Sequence, residues 1–517
     1  MNASGDRFCF FAALFAVLIA TTASAATSAP TAPIASDGAA NATATANATA
    51  TSNASAAAST TVAAAEYLPD PLARIARRLG VPASGVSLLV QGIGDPAPRV
   101  AYRADVPRNP ASTLKLVTTF AALERLGPSH VWTTEVHATR VPGTDDTVGD
   151  LFIRGGGDPY LVQDEFWKLL AALRHRGIRR IEGDLVFDLS RFDLPVEDRG
   201  AFDGQPDRVY NVLPHALLVN FNAVSFRVEA RPDGLTRVTA DPPLPNLVVQ
   251  NRLRSVPGGC GGYQLGVGIS IQDAAERNRA ALDGRFPAVC GEYELARSVL
   301  TPETYAYGLF ELYWRQLGGE LAGGWRLGAV PPGSTPLHVH RSPPLGDVIR
   351  LVNKFSNNVM TRQLEYALAV KEFGIPATPE KGERALLETL AARGVDTRGL
   401  VIANSAGLAR ETRITARQLA AVLEAAWNSP WMSEYVSSLA LAGLDGTMRN
   451  RLRGAPAAGR LHLKTGRLNG VSAVAGYVDA ASGQRLLVVL LVNAEQAHLG
   501  PGEELQNAFL DWVYRAH

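Results

Sequence analysis

Between about residues 130 and 300 the chain changes texture, and that change limits the folds open to it. The middle consists of short alternating segments broken by Gly and Pro: "TVGDLFIRGGGDPYL", "IEGDLVFDLSRFD", "FNAVSFRVEARPDG", "TRVTADPP" and "YQLGVGISIQ". Period-two alternation between turn residues predicts a mainly β region. Helical periodicity prevails on both sides. Upstream, "PLARIARRLGV" puts Leu72, Ile75, Ala76 and Leu79 on one helical face, and "VSLLVQGI" and "RVAYRAD" read as strands. Downstream, "TYAYGLFELYWRQLGG" and "LGDVIRLVNKFSNNVMTRQLEYALAV" read as long helices. In "TARQLAAVLEAAW", Thr415 and Gln418 have capping-box spacing. A strand cluster at 460–494 follows, including "LLVVLLV" (486–492), which is too short to span a membrane and reads as a buried strand. A last helix carries the apolar stripe Leu505, Phe509, Trp512 and Val513. An α/β start and an α/β finish around a β-rich middle predict one domain interrupted by a large insertion. The expected limits are 66–139 and 300–517 for the interrupted domain and 140–299 for the insertion.

The first 65 residues are expected to lie outside this fold. "MNASGDR" precedes the apolar run "FCFFAALFAVLIA" and then Ala23-Ser24-Ala25, the pattern of a secretory signal peptide over 1–25. An uncleaved anchor is the alternative, although a span needs roughly 20 apolar residues. Residues 26–65 are nearly all Ala, Thr, Ser and Asn and have little to bury, so disorder is expected there. Their N-x-[ST] sequons at Asn41, Asn47 and Asn53 follow from the composition. Export also bears on the cysteines. With Cys9 in the signal, Cys260 and Cys290 remain. An even pair in an exported chain predicts a disulfide, with two free thiols as the alternative. Two Cys without a His cluster do not make a zinc site. A net charge of +1 gives no basic field for nucleic acid.

Within "NPASTLKLVTTF" (109–120), Ser112 and Lys115 lie three apart in a helix apolar nearly all round. A serine hydroxyl is a weak nucleophile until a base takes its proton. A lysine serves as that base only when burial or a neighbouring cation lowers its pKa. Arginine stays protonated and cannot serve. Of the fifty basic residues here, six are lysine (115, 168, 354, 371, 381, 464). A chain that writes its ordinary cations as Arg has a specific use for Lys in an apolar helix. Alone, S-x-x-K also fits a lysine snorkelling from a helix end.

Two further strings decide between these readings. "FSNNV" holds Ser356-Asn357-Asn358, an S-x-N within the long helical segment, and "HLKTGRLNG" holds Lys464-Thr465-Gly466 on a strand. S-x-x-K, S-x-N and K-T-G in this order are the signature set of penicillin-binding proteins and serine β-lactamases. Motif one and motif two stand 244 residues apart, more than a β-lactamase allows. With "IRGGGDPYL" (153–161), "NFNAVSFRV" (220–228) and "LAGLDGTMRNRL" (441–452), the chain resembles the class C low-molecular-mass penicillin-binding proteins. These are the D-alanyl-D-alanine carboxypeptidase/endopeptidase family of bacteria, and the resemblance covers roughly 66–517.

The resemblance implies a multi-domain α/β fold: a serine β-lactamase/DD-peptidase-like transpeptidase domain, interrupted by two small inserted domains. It also implies roles. Ser112 attacks the carbonyl of the penultimate D-Ala, with Lys115 as general base. Ser356 relays a proton to the leaving amine, and Asn358 hydrogen-bonds the peptide. Lys464 lowers the pKa of the base, Thr465 binds the terminal carboxylate, and Gly466 allows close backbone approach. The N–H groups of Ser112 and Arg467 form the oxyanion hole. Arg410 in "SAGLAR" is a candidate substrate contact, and Asp207 in "QPDRVYN" one for the amine of diaminopimelate; both also read as surface charges. The family's "GSGLSR"-like loop here has Ala406 and Ala409 where serines are common. Asp158 in "GGGDPY" reads as a structural turn residue.

The implied partners are peptidoglycan stem peptides and, as covalent inhibitors, β-lactams. The implied location is the periplasm, with loose membrane or cell-wall-complex association compatible with it. No cofactor is implied, and oligomeric state is not written in these motifs. Other classes fit less well. There is no G-x-S-x-G elbow for a Ser-His-Asp hydrolase. "EAAWN" (424–428) has the E-x-x-x-N spacing of a class A β-lactamase but lies on an amphipathic helix. A non-catalytic β-lactam sensor or scaffold has no need of the full set of motif side chains.

Overall fold

The computed structural model describes residues 67–139, 146–231, 233–262, 266–272 and 278–517. The expected signal peptide and Ala/Thr/Ser/Asn segment lie outside the described residues. Among those described, no helix is long and apolar enough to cross a membrane.

A six-stranded antiparallel sheet forms the centre, in the spatial order 440–441, 461–468, 471–479, 485–493, 86–92 and 100–102. Strands 471–479 and 485–493 are buried on both faces. That explains the continuous Leu/Val run at 486–492, which has no alternation. One face packs on helices Lys115–Leu126, Leu345–Phe355, Asn358–Phe373, Pro379–Ala392 and Ala416–Trp427 through Phe120, Ile349, Leu364, Leu386, Leu419 and Val489. The other is covered by the first and last helices, Asp70–Arg78 and Pro501–Ala516, through Leu72, Leu505, Phe509 and Val513. Residues 70–102 and 440–516 thus close one α/β/α sandwich. The capping box at Thr415 and Gln418 starts its helix as expected.

The intervening segment builds its own sheets around a separate hydrophobic cluster. A five-stranded sheet has the order 325–327, 185–188, 151–154, 133–138 and 338–341. Its edge pair, Thr133–Ala138 with His338–Arg341, carries the chain in and out of the segment. The sheet and its core therefore do not divide at 139 and 299. They run from about 133 to 341, because helix Pro302–Gln316 buries Tyr305, Phe310 and Trp314 in this second cluster rather than in the sandwich. The segment is mainly β, as expected, with helix Gln163–His175 inside it. This helix buries Phe166, Leu169, Leu170 and Leu173. Cys260 and Cys290 are joined in a disulfide.

Candidate active site

The first motif starts on a tight turn. Residues Ala111–Leu114 form a 3₁₀ turn that passes into the α-helix at Lys115. In a 3₁₀ turn residues i and i+3 eclipse, so Lys115 is stacked directly on Ser112 and its Nζ lies 3.0 Å from Ser112 Oγ. The second motif departs from expectation. The long helical segment breaks in two, and Ser356 sits at the break with φ 60°. This left-handed residue ends Leu345–Phe355, and the Asn357 side chain caps the next helix by accepting from Met360 N. The break lifts Ser356 out of the helical ladder and puts Asn358 on the first helical turn. The third motif lies on strand Leu461–Leu468.

These elements converge on two lysines. Lys115 Nζ meets Asn358 Oδ1 at 2.7 Å and the Ala406 carbonyl at 2.6 Å, besides Ser112 Oγ. Lys464 Nζ meets Ser356 Oγ at 2.9 Å and the Thr465 carbonyl at 2.7 Å. Both lysines are fully buried, and none of these partners is a carboxylate. Burial drives Lys115 well below the ordinary lysine range, and the charge of Lys464 pushes the same way. Burial lowers Lys464 to about 7. A neutral lysine has two N–H donors and one lone pair. The Ala406 carbonyl and Asn358 Oδ1 only accept, so they take the two donors. The lone pair is left facing the Ser112 hydroxyl, the arrangement a general base needs.

Strand and turn are in close contact. A Cβ on Gly466 would lie 2.6 Å from Pro110 O and 2.9 Å from Ser112 N. Glycine at 466 is therefore a steric requirement for bringing K-T-G against the serine turn.

The chain matches the model of the D-Ala-D-Ala carboxypeptidase 3 (S13) family over residues 71–511. It belongs to this S13 family. It is 32% identical over 412 residues to the D-alanyl-D-alanine carboxypeptidase of Actinomadura sp. (strain R39), covering 76% of this chain and 74% of the relative. It is 26% identical over 387 residues to the D-alanyl-D-alanine carboxypeptidase DacB of Haemophilus influenzae, covering 74% of this chain and 80% of the relative. The crystal structure of penicillin binding protein 4 (dacB) from Haemophilus influenzae shares the fold, with TM-score 0.72 and 23% identity, covering 86% of this chain and 99% of that one.

The other residues singled out in the sequence make the following contacts. Arg467 is exposed on the motif strand, one residue past Gly466. Arg410 donates to the Asn469 carbonyl at 2.7 Å and lies 4.9 Å over the Phe202 ring, at the end of the same strand. Asp207 belongs to a loop whose Tyr210 carbonyl accepts from Asn358 Nδ2 at 3.0 Å. Asp158 is buried in a turn, accepting from Tyr160 N at 2.7 Å, and burial raises it to about 7. The Cys260–Cys290 pair lies in the inserted segment and contributes no atom to the lysine contacts.

Three groups outside the sequence motifs also support the site. Ala406 matters for its carbonyl, which a side-chain motif does not reveal. Its neighbour Ser405 donates to Glu365 at 2.6 Å, and the Ser405 carbonyl accepts from Thr118 Oγ1 at 2.8 Å. This fixes the loop from behind. Thr447, in the quoted but unassigned "LAGLDGTM", lies 2.8 Å from Thr465 by their hydroxyls.

Proposed function

We propose that the chain is a penicillin-sensitive serine DD-peptidase of peptidoglycan metabolism. It hydrolyses D-Ala-D-Ala ends as a carboxypeptidase and D-Ala–diaminopimelate cross-links as an endopeptidase. The observation that carries the reading is the buried Lys115 amine against Ser112 Oγ, within an S13-family chain.

In this reading Lys115 takes the Ser112 proton as Oγ attacks the penultimate D-Ala carbonyl. The Ser112 and Arg467 N–H groups hold the oxyanion, a contribution of ~3 kcal/mol for one donor. The 3.0 Å contact and the lowered pKa of Lys115 support the base assignment. Ser356, hydrogen-bonded to Lys464, hands a proton to the leaving amine. Asn358 bridges Lys115 and the Tyr210 carbonyl, which keeps its amide oriented beside the peptide. Thr465, Arg410 and Lys464 receive the terminal carboxylate, and Asp207 a free amine of the stem peptide. Water then resolves the acyl-enzyme. A β-lactam acylates Ser112 in the same way; a relative of this fold is described as complexed with one.

The second sheet system, 133–341, is the inserted unit in this reading, and its 203–211 loop shapes the cleft next to Asn358. Export by the N-terminal segment places the enzyme in the periplasm, where its substrate is. The test is D-alanine release from a purified muropeptide pentapeptide, with cross-linked dimers as second substrate. Release from either supports the reading. Absence of both with a folded protein leaves the slow β-lactam sensor in its place.

A further inference from the structure

The loop at 441–448 contacts both Lys354, just ahead of motif two, and the strand of motif three. Asp445 accepts from Lys354 Nζ at 2.5 Å through Oδ2 and from Leu441 N at 2.8 Å through Oδ1. Lys354 stands two residues before Ser356 and also donates to the Leu439 carbonyl at 3.0 Å. Gly446 has φ +54°, and a Cβ there would lie 2.6 Å from Lys354 O. Gly443 N donates to Met448 O at 3.0 Å, and Met448 is fully buried. These contacts press a short 3₁₀ turn, Gly446–Met448, against the end of Leu345–Phe355. They present one polar side chain to the cleft. Thr447 Oγ1 accepts from Thr465 Oγ1 at 2.8 Å, and both residues are partly open to solvent.

We propose that Thr447 is a positioning residue that acts through Thr465 to recognise the C-terminal carboxylate of the substrate. The proposal rests on the DD-peptidase reading, in which Thr465 meets that carboxylate. A hydroxyl has one proton and two lone pairs. Without substrate, Thr465 spends its proton on Thr447. When a carboxylate arrives, Thr465 turns its proton to the anion, and Thr447 donates into the lone pair this exposes. Thr447 thereby holds the Thr465 rotor in line and polarises its O–H. Lys354 and Asp445 fix the turn on which this exchange depends, so D-G-T at 445–447 is a fourth working string of the site.

The test compares the full chain with Thr447→Val, Thr447→Ala and Thr447→Ser on an acyl-L-Lys-D-Ala-D-Ala peptide and on its C-terminal amide. kcat/KM is measured for each. The amide keeps the scissile bond and lacks the anion. The Val and Ala variants are expected to lose roughly tenfold to hundredfold on the acid, the size of a hydrogen bond to a charged group. Amide cleavage stays near wild type, and Ser restores acid cleavage. Equal losses on both substrates, or no loss on the acid, overturn the proposal and assign Thr447 to packing. A wild type that cleaves the acid no better than the amide overturns carboxylate recognition itself. A wild type that cleaves neither overturns the DD-peptidase reading beneath it.

Discussion

Lys115 Nζ lies 3.0 Å from Ser112 Oγ, with its two other contacts made to groups that only accept, Asn358 Oδ1 and the Ala406 carbonyl. The contact set distinguishes a base from a cation. A charged lysine in this position is desolvated with no carboxylate partner among these contacts, whereas a neutral one matches all three.

The first prediction is a pH profile. Acylation needs neutral Lys115, so the rate rises as pH passes upward through its lowered pKa. Lys464, lowered to about 7, loses its charge as pH rises through that value, and with it the attraction for a carboxylate. For carboxylate-bearing ligands the loss of the Lys464 charge adds a falling limb that opposes this rise, and the limbs belong to the coupled pair. Lys464→Arg, which does not deprotonate, is expected to abolish the falling limb. Stopped-flow acylation across pH 5–10 reads both limbs. A falling limb unchanged in Lys464→Arg contradicts the assignment.

The second concerns Gly466. Adding a methyl there drives Cβ into Pro110 O and Ser112 N. Gly466→Ala is expected to slow acylation about a hundredfold, the cost of moving reacting groups by roughly 1 Å. Kinetics and a thermal melt on the same sample test this. Wild-type acylation rates would show that the strand has room.

The third is a stability change away from the chemistry. Asp158 has a folded pKa of about 7, raised by burial above its ordinary 3.8. The folded state holds the proton longer than the unfolded one. Its stability contribution is complete below pH 3.8 and is lost as pH rises through 7. Asp158→Asn keeps an oxygen for Tyr160 N and has no charge to bury. It is expected to be more stable than wild type at pH 8 by on the order of a few kcal/mol, with the advantage gone near pH 4. Denaturant midpoints at the two pH values check the sign.

The fourth separates the insertion from the catalytic centre. Cys260 and Cys290 are 30 residues apart. Opening such a loop costs ~3–4 kcal/mol in the chain-entropy account. Cys260→Ser with Cys290→Ser is expected to lower the melting temperature of the inserted segment and to leave penicillin acylation near wild type. Loss of acylation in a folded double variant would tie the disulfide to the cleft.

Much of this site was legible because its parts are local in sequence. Ser112 and Lys115 are one turn apart, and Lys464, Thr465 and Gly466 are consecutive on a strand. The sandwich was legible at its ends, where Leu72 and the Leu505–Phe509–Val513 stripe show helical period. What stayed hidden depends on tertiary contact. Ser356 adopts a left-handed conformation in a run with continuous helical periodicity and no Gly or Pro near the break, so the pattern predicts one helix where there are two. Ala406 works through its backbone, which no side-chain motif encodes. Helix Pro302–Gln316 has a plain helical signature, but its partner cluster, and so the edge of the insertion, is set by which core receives Trp314. Thr447 stood in view without a role, because its partner Thr465 is 18 residues away on another element.

Deprotonation of Ser112 by Lys115 is read out by intact mass after incubation with a penicillin. Wild type is expected to gain one acyl adduct, Ser112→Ala none, and Lys115→Arg to acylate slower by about 10²–10⁴-fold, the range for a lost general base. An adduct retained on Ser112→Ala, or wild-type acylation by Lys115→Arg, would rule out this serine–lysine pair.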